Sequence, residues 1–392
     1  MNKKLLLLFF FCFFLIINSS FLLAKNATLL WNYEQIKEIK DNPSFAGIVI
    51  DCIATADSYL QMEPITVMDK TWSFNDDFHY YATMAGYWWP EEKNGKVVYV
   101  RHDGKSYPGA NDLDFRKIKY MADRLQYFSL AYFFTGKSRY LRAMKKQLDV
   151  WFLSPKTYMY PNFNYAQVIP GKKEIKGRGV GLIEAHPFNT IMESVRLIET
   201  KNSIGKKRKR GLVKWFSDFA DWMVESEQGI VDRKANSNQS ISYDITLANI
   251  YEFIDREDLA RKIIKEFPEK RINVQIQPDG KLPSELNRTN AFTYSTASLG
   301  FFSQFCILAK SLGEDLYSHN KDRFDVALRF LIGYMDRHEE FPYQQINGWE
   351  SATKNLNAVL VGFKRINPNI EKELQYSLDS KDVYSLENLL IE

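Results

Sequence analysis

Two well-separated polar segments carry the side chains best suited to chemistry. The first, NSNQS at Asn236 to Ser240, stands just ahead of an apolar run at Ile245, Leu247, Ala248 and Ile250. The second, LPSELNRTNAFTYS at Leu282 to Ser295, carries Arg288 and Tyr294. Asn and Ser cap helices well, and capping accounts for one or two residues of the first segment. It does not account for a whole run of polar residues. Amides at a helix N-terminus donate to an anion, and the helix dipole adds the favourable sign. Asn238 and Gln239, with Asn236 beside them, therefore suit the neutralising of a carboxylate. Arg288 offers a carboxylate a planar fork that lysine does not match. A tyrosine ionises ordinarily near pH 10. Beside a guanidinium the Tyr294 phenolate is expected to form more easily, taking a proton as base and returning it as acid. The competing reading is a surface ion pair and a core tyrosine.

Tyr87-Trp88-Trp89-Pro90 is the second candidate constellation. Flat aromatic faces stack on the C–H faces of sugar rings, and adjacent large aromatics in a loop are costly unless they pack or bind. The alternative is an aromatic plug closing one end of the fold. His186, just before Pro187, and His79, in a Tyr-rich stretch, are candidate binding groups; for each, capping or packing is the alternative.

The elements that must position these residues are helices. Apolar residues recur at helical spacing almost throughout. Ile118, Met121, Leu125, Phe128 and Tyr132 form one stripe, with Gly136 as C-cap, and Ser138 is placed to cap the next helix, Ser138 to Phe152. Similar pairs are expected at Pro187 to Thr200 with Leu212 to Glu225, Ile241 to Ile254 with Asp258 to Phe267, and Ser298 to Leu312 with Lys321 to Met335. Lys96 to Val100 is the best strand candidate. Helix pairs with little sheet and no fixed repeat predict an all-α fold, a single α/α toroid or incomplete barrel. The stretches Asn75 to Asp112 and Ser154 to Lys176 read as long loops over a cleft.

Composition narrows the function. Lys3 and Lys4, an apolar run from Leu5 to Ile17 and Leu22-Leu23-Ala24 predict a secretory signal peptide over residues 1–24, leaving one domain at 25–392. The expected product is exported, to the periplasm or outside the cell. The apolar run is short for a bilayer span, which needs about 20 residues. The formal charge of +4 becomes +2 once Lys3 and Lys4 are gone, so any pull on a polyanion is local. The basic run at Lys206 to Arg210 reads as a solvated helix start. No nucleic-acid partner and no stable membrane insertion are expected. Cys52 and Cys306 are read as buried thiols, with a bridge as the alternative. No Cys/His spacing suits a metal, and nothing requires a cofactor.

Several motifs in order give the chain a family resemblance: HYYATMAGYWWP (His79 to Pro90), YVRHDG (Tyr99 to Gly104), WFLSPKTYMYPNFNYAQ (Trp151 to Gln167), GRGVGLIEAHPF (Gly177 to Phe188), NSNQSISYD and LPSELNRTNAFTYS. Together they resemble the alginate-lyase superfamily of α/α-toroid polysaccharide lyases, which cleave alginate and glucuronan. The resemblance implies an anionic polysaccharide substrate and no cofactor. In that family an Asn-Asn-His sequence opens the central helix, and a later Arg and Tyr complete the site. By position these fall on Ser237 (or, with a shift, Asn236), Asn238, Gln239, Arg288 and Tyr294, so glutamine stands where the family has histidine. Within the matching motifs His79, Tyr87, Trp88, Trp89, Arg178, His186, Asn236 and Tyr243 are expected to bind substrate. Gln accepts no proton at neutral pH but hydrogen-bonds a carboxylate. The substitution therefore favours syn elimination by Tyr294 on mannuronate- or glucuronate-type polymers over anti elimination on guluronate. The competing functions are a non-catalytic glycan-binding relative and a glycoside hydrolase using Glu184, Asp244 or Glu285, which needs two carboxyls roughly 5 to 9 Å apart.

Overall fold

A computed structural model describes residues 27–378 and 385–391; the expected signal peptide lies outside them. No helix among the described residues is long and apolar enough to cross a membrane.

The helices run α1 (Tyr33–Asp41), α2 (Ala46–Leu60), α3 (Phe115–Thr135), α4 (Ser138–Leu148), α5 (Phe188–Glu199), α6 (Lys206–Glu225), α7 (Glu227–Arg233) and α8 (Asn238–Phe253). They continue with α9 (Glu257–Phe267), α10 (Ala291–Ser311), α11 (Lys321–Ile332), α12 (Trp349–Ile366) and the short α13 (Leu386–Ile391). Helices α3, α5, α8, α10 and α12 touch in succession, and α13, α1 and α2 lead back to α3, which closes a ring. Helices α4, α6, α9 and α11 pack on this ring. The patterning follows from that placement. The outer α9 buries one stripe, Ala260, Ile264 and Phe267. The inner α8 is buried almost all round and shows no stripe.

Closure relies on a buried carboxylate. Glu193 Oε2 accepts from the backbone N–H groups of Leu29, Leu30 and Trp31 at 2.9, 3.0 and 3.1 Å. Arg196 ties Glu193 to Glu252 of α8, and the Asn32 N–H donates to the Leu390 carbonyl at 2.7 Å. The segment Leu29–Asn32 is thereby tied to both α5 and α13.

The expected hairpins form, with Gly136 ending α3 at φ +68°. Ser138 is the first residue of α4 rather than its cap; its hydroxyl accepts from Arg142 at 2.7 Å. The basic run opens α6, where Arg208 pairs with Asp149 at 2.7 Å. The cysteines are buried free thiols.

The two expected loops contain strands. Trp88–Lys93 (β2) pairs antiparallel with Lys96–Arg101 (β3), from Trp88 opposite Arg101 to Lys93 opposite Lys96. The connection is Asn94-Gly95 at φ +54° and +71°, which is the sequence a two-residue hairpin turn demands. Ala82–Met84 (β1) pairs parallel with Tyr165–Val168 (β4). Gly177 and Gly181 lie so close to β4 that a Cβ on either would meet Ala166 at 2.8 Å. That contact seats the GRGVG segment beneath the strand.

Candidate active site

A cleft of about 510 Å³ opens between these strands and the start of α8. Tyr87, Trp88, Arg101 and Tyr107 line one wall, and Gln167, Arg178 and Glu184 another. Asn238, Gln239, Arg288 and Tyr294 complete it.

Tyr294 lies in the first turn of α10. Gln345 Oε1 accepts from the free N–H groups of Phe292 and Thr293 at 3.1 and 3.3 Å, fixing that turn. The Tyr294 hydroxyl is 2.6 Å from the Tyr87 hydroxyl, so two phenols meet across the cleft. The Arg288 guanidinium lies 3.8 Å from the centre of the Tyr294 ring, stacked on its face rather than beside its oxygen. This corrects the sequence expectation of an easily ionised phenol. Burial, with the Tyr87 phenol adding to it, raises the Tyr294 pKa well above the ordinary value, and the Arg288 charge offsets only part of that rise. Tyr294 rests as a neutral phenol.

Arg288 is held by a residue the sequence did not single out. Its Nε and Nη2 donate to Asp103 at 2.9 and 2.8 Å, and the Thr289 N–H donates to the same carboxylate at 3.2 Å. Arg101 adds a further bond at 2.7 Å. Burial opposes ionisation of Asp103, but the hydrogen bonds from Arg288 and Thr289 and the charge of Arg101 together hold its pKa well below the usual carboxylate range. Gly104 makes this contact possible at φ +73°; a Cβ there would meet Thr289 Oγ1 at 2.5 Å and Asn290 Nδ2 at 2.7 Å.

The anion at the start of α8 is the protein's own. Glu285 accepts from the Asn238 N–H at 2.7 Å and from Asn238 Nδ2 at 3.3 Å. Ser237 makes no side-chain cap; its hydroxyl donates to Gln239 Oε1 at 3.1 Å. Among the described residues Gln239 Nε2 has no hydrogen-bond partner.

On the opposite wall, Glu184 is nearly buried and accepts from Tyr81 at 3.0 Å and Thr83 at 2.7 Å. Burial pushes its carboxyl up to about 7, against the opposing pull of those hydrogen bonds and of Arg178. Arg178 donates to the Gln167 carbonyl at 3.1 Å and to Gln167 Oε1 at 2.8 Å. Gln167 stands at φ +53°, an uncommon conformation for a residue with a side chain.

Of the expected site residues, Tyr87, Trp88, Arg178, Asn238, Gln239, Arg288 and Tyr294 line the cleft. The others lie elsewhere. Asn236 is exposed ahead of the helix. Trp89 alternates to the other face of the hairpin, where its indole donates to Lys105 and packs on Tyr107. His79 stacks on Tyr160 and donates from Nδ1 to the Tyr158 carbonyl at 2.6 Å. Tyr243 is buried, its hydroxyl donating to the Met223 carbonyl at 2.9 Å. His186 lines a separate cavity of about 250 Å³, with Nδ1 3.1 Å from Ser242 Oγ; burial depresses its pKa to about 4. Of the three hydrolase candidates only Glu184 lines the cleft, since Asp244 is paired to Arg271 at 2.7 Å and Glu285 holds Asn238. Among the described residues that line the cleft, Glu184 is the one carboxylate. No group of residues suited to a metal ion occurs among the described residues.

The closed ring of helix pairs is the fold of the α/α-toroid polysaccharide lyases, and this chain is one of them. A family model described as alginate lyase matches residues 66–341. Among solved structures, an alginate lyase from Bacteroides ovatus is 34% identical, covering 93% of this chain and 99% of that one with a TM-score of 0.86. Alginate lyase A1-III from Sphingomonas species A1 is 14% identical, with a TM-score of 0.47 over 78% of this chain and 86% of that one. No curated protein sequence matches. The chain belongs to the alginate lyase family.

Proposed function

We propose that this chain is an exported lyase that cleaves mannuronate- or glucuronate-type polymers by syn β-elimination. The observation that carries the reading is the Tyr87–Tyr294 hydroxyl contact at 2.6 Å, made in one cleft with Arg288, Arg178, Asn238 and Gln239. The arginines and the free Gln239 amide neutralise the sugar carboxylate, which makes the C5 proton more acidic. The minor phenolate form of Tyr294 removes that proton and becomes the phenol, C4=C5 forms, the C4–O4 bond breaks, and the phenol gives the proton to O4, which restores the phenolate. No oxidant or second base enters the balance. Tyr87 keeps the Tyr294 oxygen aimed while it cycles between charged and neutral forms.

The substrate preference follows from stereochemistry. In mannuronate and glucuronate the C5 hydrogen and O4 lie on the same face, so one phenol serves both. In guluronate they lie on opposite faces, and Gln239 supplies no second base. Ultraviolet absorbance of the unsaturated product is expected from polymannuronate or glucuronan and at most a trace from polyguluronate. Equal turnover of polyguluronate would overturn the stereochemical argument.

One observation favours a second reading. A phenol held neutral by burial, with no histidine among the described residues that line its cleft, also suits a protein that binds glycans without cutting them. Binding with no absorbance, unaltered in Tyr294→Phe, would establish that reading.

A further inference from the structure

Beyond Arg178 the cleft continues onto a basic shelf. A shallow cavity of about 360 Å³ is lined by Lys172, Lys173, Lys176, Arg178 and Glu174. Arg178 lines both spaces, so they meet at its side chain. Lys172 Nζ lies 5.7 Å from the centre of the Trp88 ring, and Trp88 belongs to the cleft wall. The charges do not cancel. Lys176 is paired with Glu174 at 3.1 Å and with Glu227 at 2.9 Å. Four cations, Lys172, Lys173, Lys176 and Arg178, face these two carboxylates. Lys172 and Lys173 are exposed, and neither has a carboxylate partner among the described residues. Gly171, at φ +78°, makes the turn that carries them.

We propose that this shelf is a second binding site for carboxylates of an acidic polysaccharide, holding sugars of the chain whose scissile residue lies at Tyr294. The inference rests on the reading of the cleft as a uronate site. Three features converge: unpaired positive charge, an aromatic face at the junction, and an arginine shared by the two spaces. Trp88 supplies a stacking face where the polymer leaves the cleft. Lys172 and Lys173 then meet carboxylates further along it, as point charges that tolerate either epimer at C5. The shelf therefore contributes grip on long chains and little discrimination between uronates.

The experiment is affinity electrophoresis in gels containing polymannuronate, polyguluronate or a neutral glucan, alongside kcat/KM on polymer and on a trisaccharide. The variant is Lys172→Glu with Lys173→Glu, both exposed, with Tm as the folding control. Exposed ion pairs contribute roughly threefold each in affinity. The double reversal is thus expected to weaken retardation by both polyuronates about tenfold and to lower kcat/KM on polymer similarly, with the trisaccharide unaffected. The gap should close at about 0.5 M salt, where charges are screened within a few ångströms. Unchanged retardation of the variant overturns the shelf while leaving the cleft reading intact. A wild type that neither binds nor cuts any polyuronate overturns both. Equal loss on polymer and trisaccharide also overturns the shelf, because it places the lysines' effect at the scissile sugar.

Discussion

Replacing Asp103 by Asn tests whether the turn that follows β3 holds Arg288 flat against Tyr294. The wild-type carboxylate accepts from Arg288 at 2.8 and 2.9 Å, from the Thr289 N–H at 3.2 Å and from Arg101 at 2.7 Å. Hydrogen bonds to a charged group contribute about 1.5–3 kcal/mol each. The side chains are 19% and 18% exposed, so water screens part of that, and a net loss of about 2 kcal/mol is the reasoned figure. In a chain of this length that is a Tm drop of a few degrees. Because the Asp103 pKa is lowered on folding, its contribution is present above the usual carboxylate range and vanishes as pH falls through and below it. The difference in Tm between wild type and variant should therefore shrink in acid. The kinetic effect is larger. Releasing the guanidinium from the ring moves both groups by a fraction of an ångström to an ångström, which costs about 10- to 100-fold in rate. Steady-state kinetics on polymannuronate should show this mainly in kcat. A variant with wild-type kcat would refute the idea that Asp103 positions the Arg288–Tyr294 pair. A double-mutant cycle with Arg288→Lys should give a coupling of about 0.5–3 kcal/mol; zero coupling would count equally against it.

Three further outcomes follow from the same geometry. Asp232 is 1% exposed with neither carboxylate oxygen hydrogen-bonded, and burial pushes it up to about 8, against the charge of Arg271. The folded state thus binds a proton that the unfolded state releases above about pH 4, and stability falls as pH rises from there to about 8. Asp232→Asn should raise stability by ~1–3 kcal/mol at pH 8 and by little at pH 4, read by denaturant unfolding. His186→Gln should leave kcat/KM within about threefold, since His186 lies outside the cleft, whereas loss of a general base costs about 100-fold or more. Because the Tyr294 pKa is raised, its base form is scarce at neutral pH, and kcat should climb about tenfold per pH unit into the alkaline range. A limb near pH 7 that disappears in Glu184→Gln would instead assign proton removal to Glu184.

The ring of helix pairs was legible because burying a helix on one side leaves a 3.6-residue stripe, as in α3 and α9. Helix α12 carries the same kind of pattern, in Ala352, Leu356, Leu360 and Phe363, although it is not among the expected pairs. Of the β2–β3 hairpin the sequence shows β3, expected at Lys96 to Val100, but not its partner β2, although Asn94-Gly95 between alternating strands is a strong hairpin signal. Reading Tyr87 to Pro90 as loop put both tryptophans on one surface, whereas strand alternation sends Trp89 to the other. On α8, Asn238 and Gln239 share the open end of the helix, while Tyr243 lies deeper and points into the core. Motif position alone does not distinguish those phases. The Asp103–Arg288 and Glu184–Tyr81 pairs join residues far apart in the chain, so no local pattern announces them. The fate of Tyr294 was hidden for a related reason. A guanidinium nearby in sequence says nothing of whether it meets the phenol's oxygen or its face.

The most direct test removes one oxygen. Tyr294→Phe and Tyr87→Phe should be compared on polymannuronate by absorbance of the unsaturated product, with binding measured on the same samples. Tyr294→Phe is expected to lower kcat by about 1,000-fold or more while binding persists, and Tyr87→Phe to lower it by a smaller factor. If Tyr294→Phe keeps a tenth or more of the wild-type rate, the phenol does not move the proton, and the mechanism built on it is wrong.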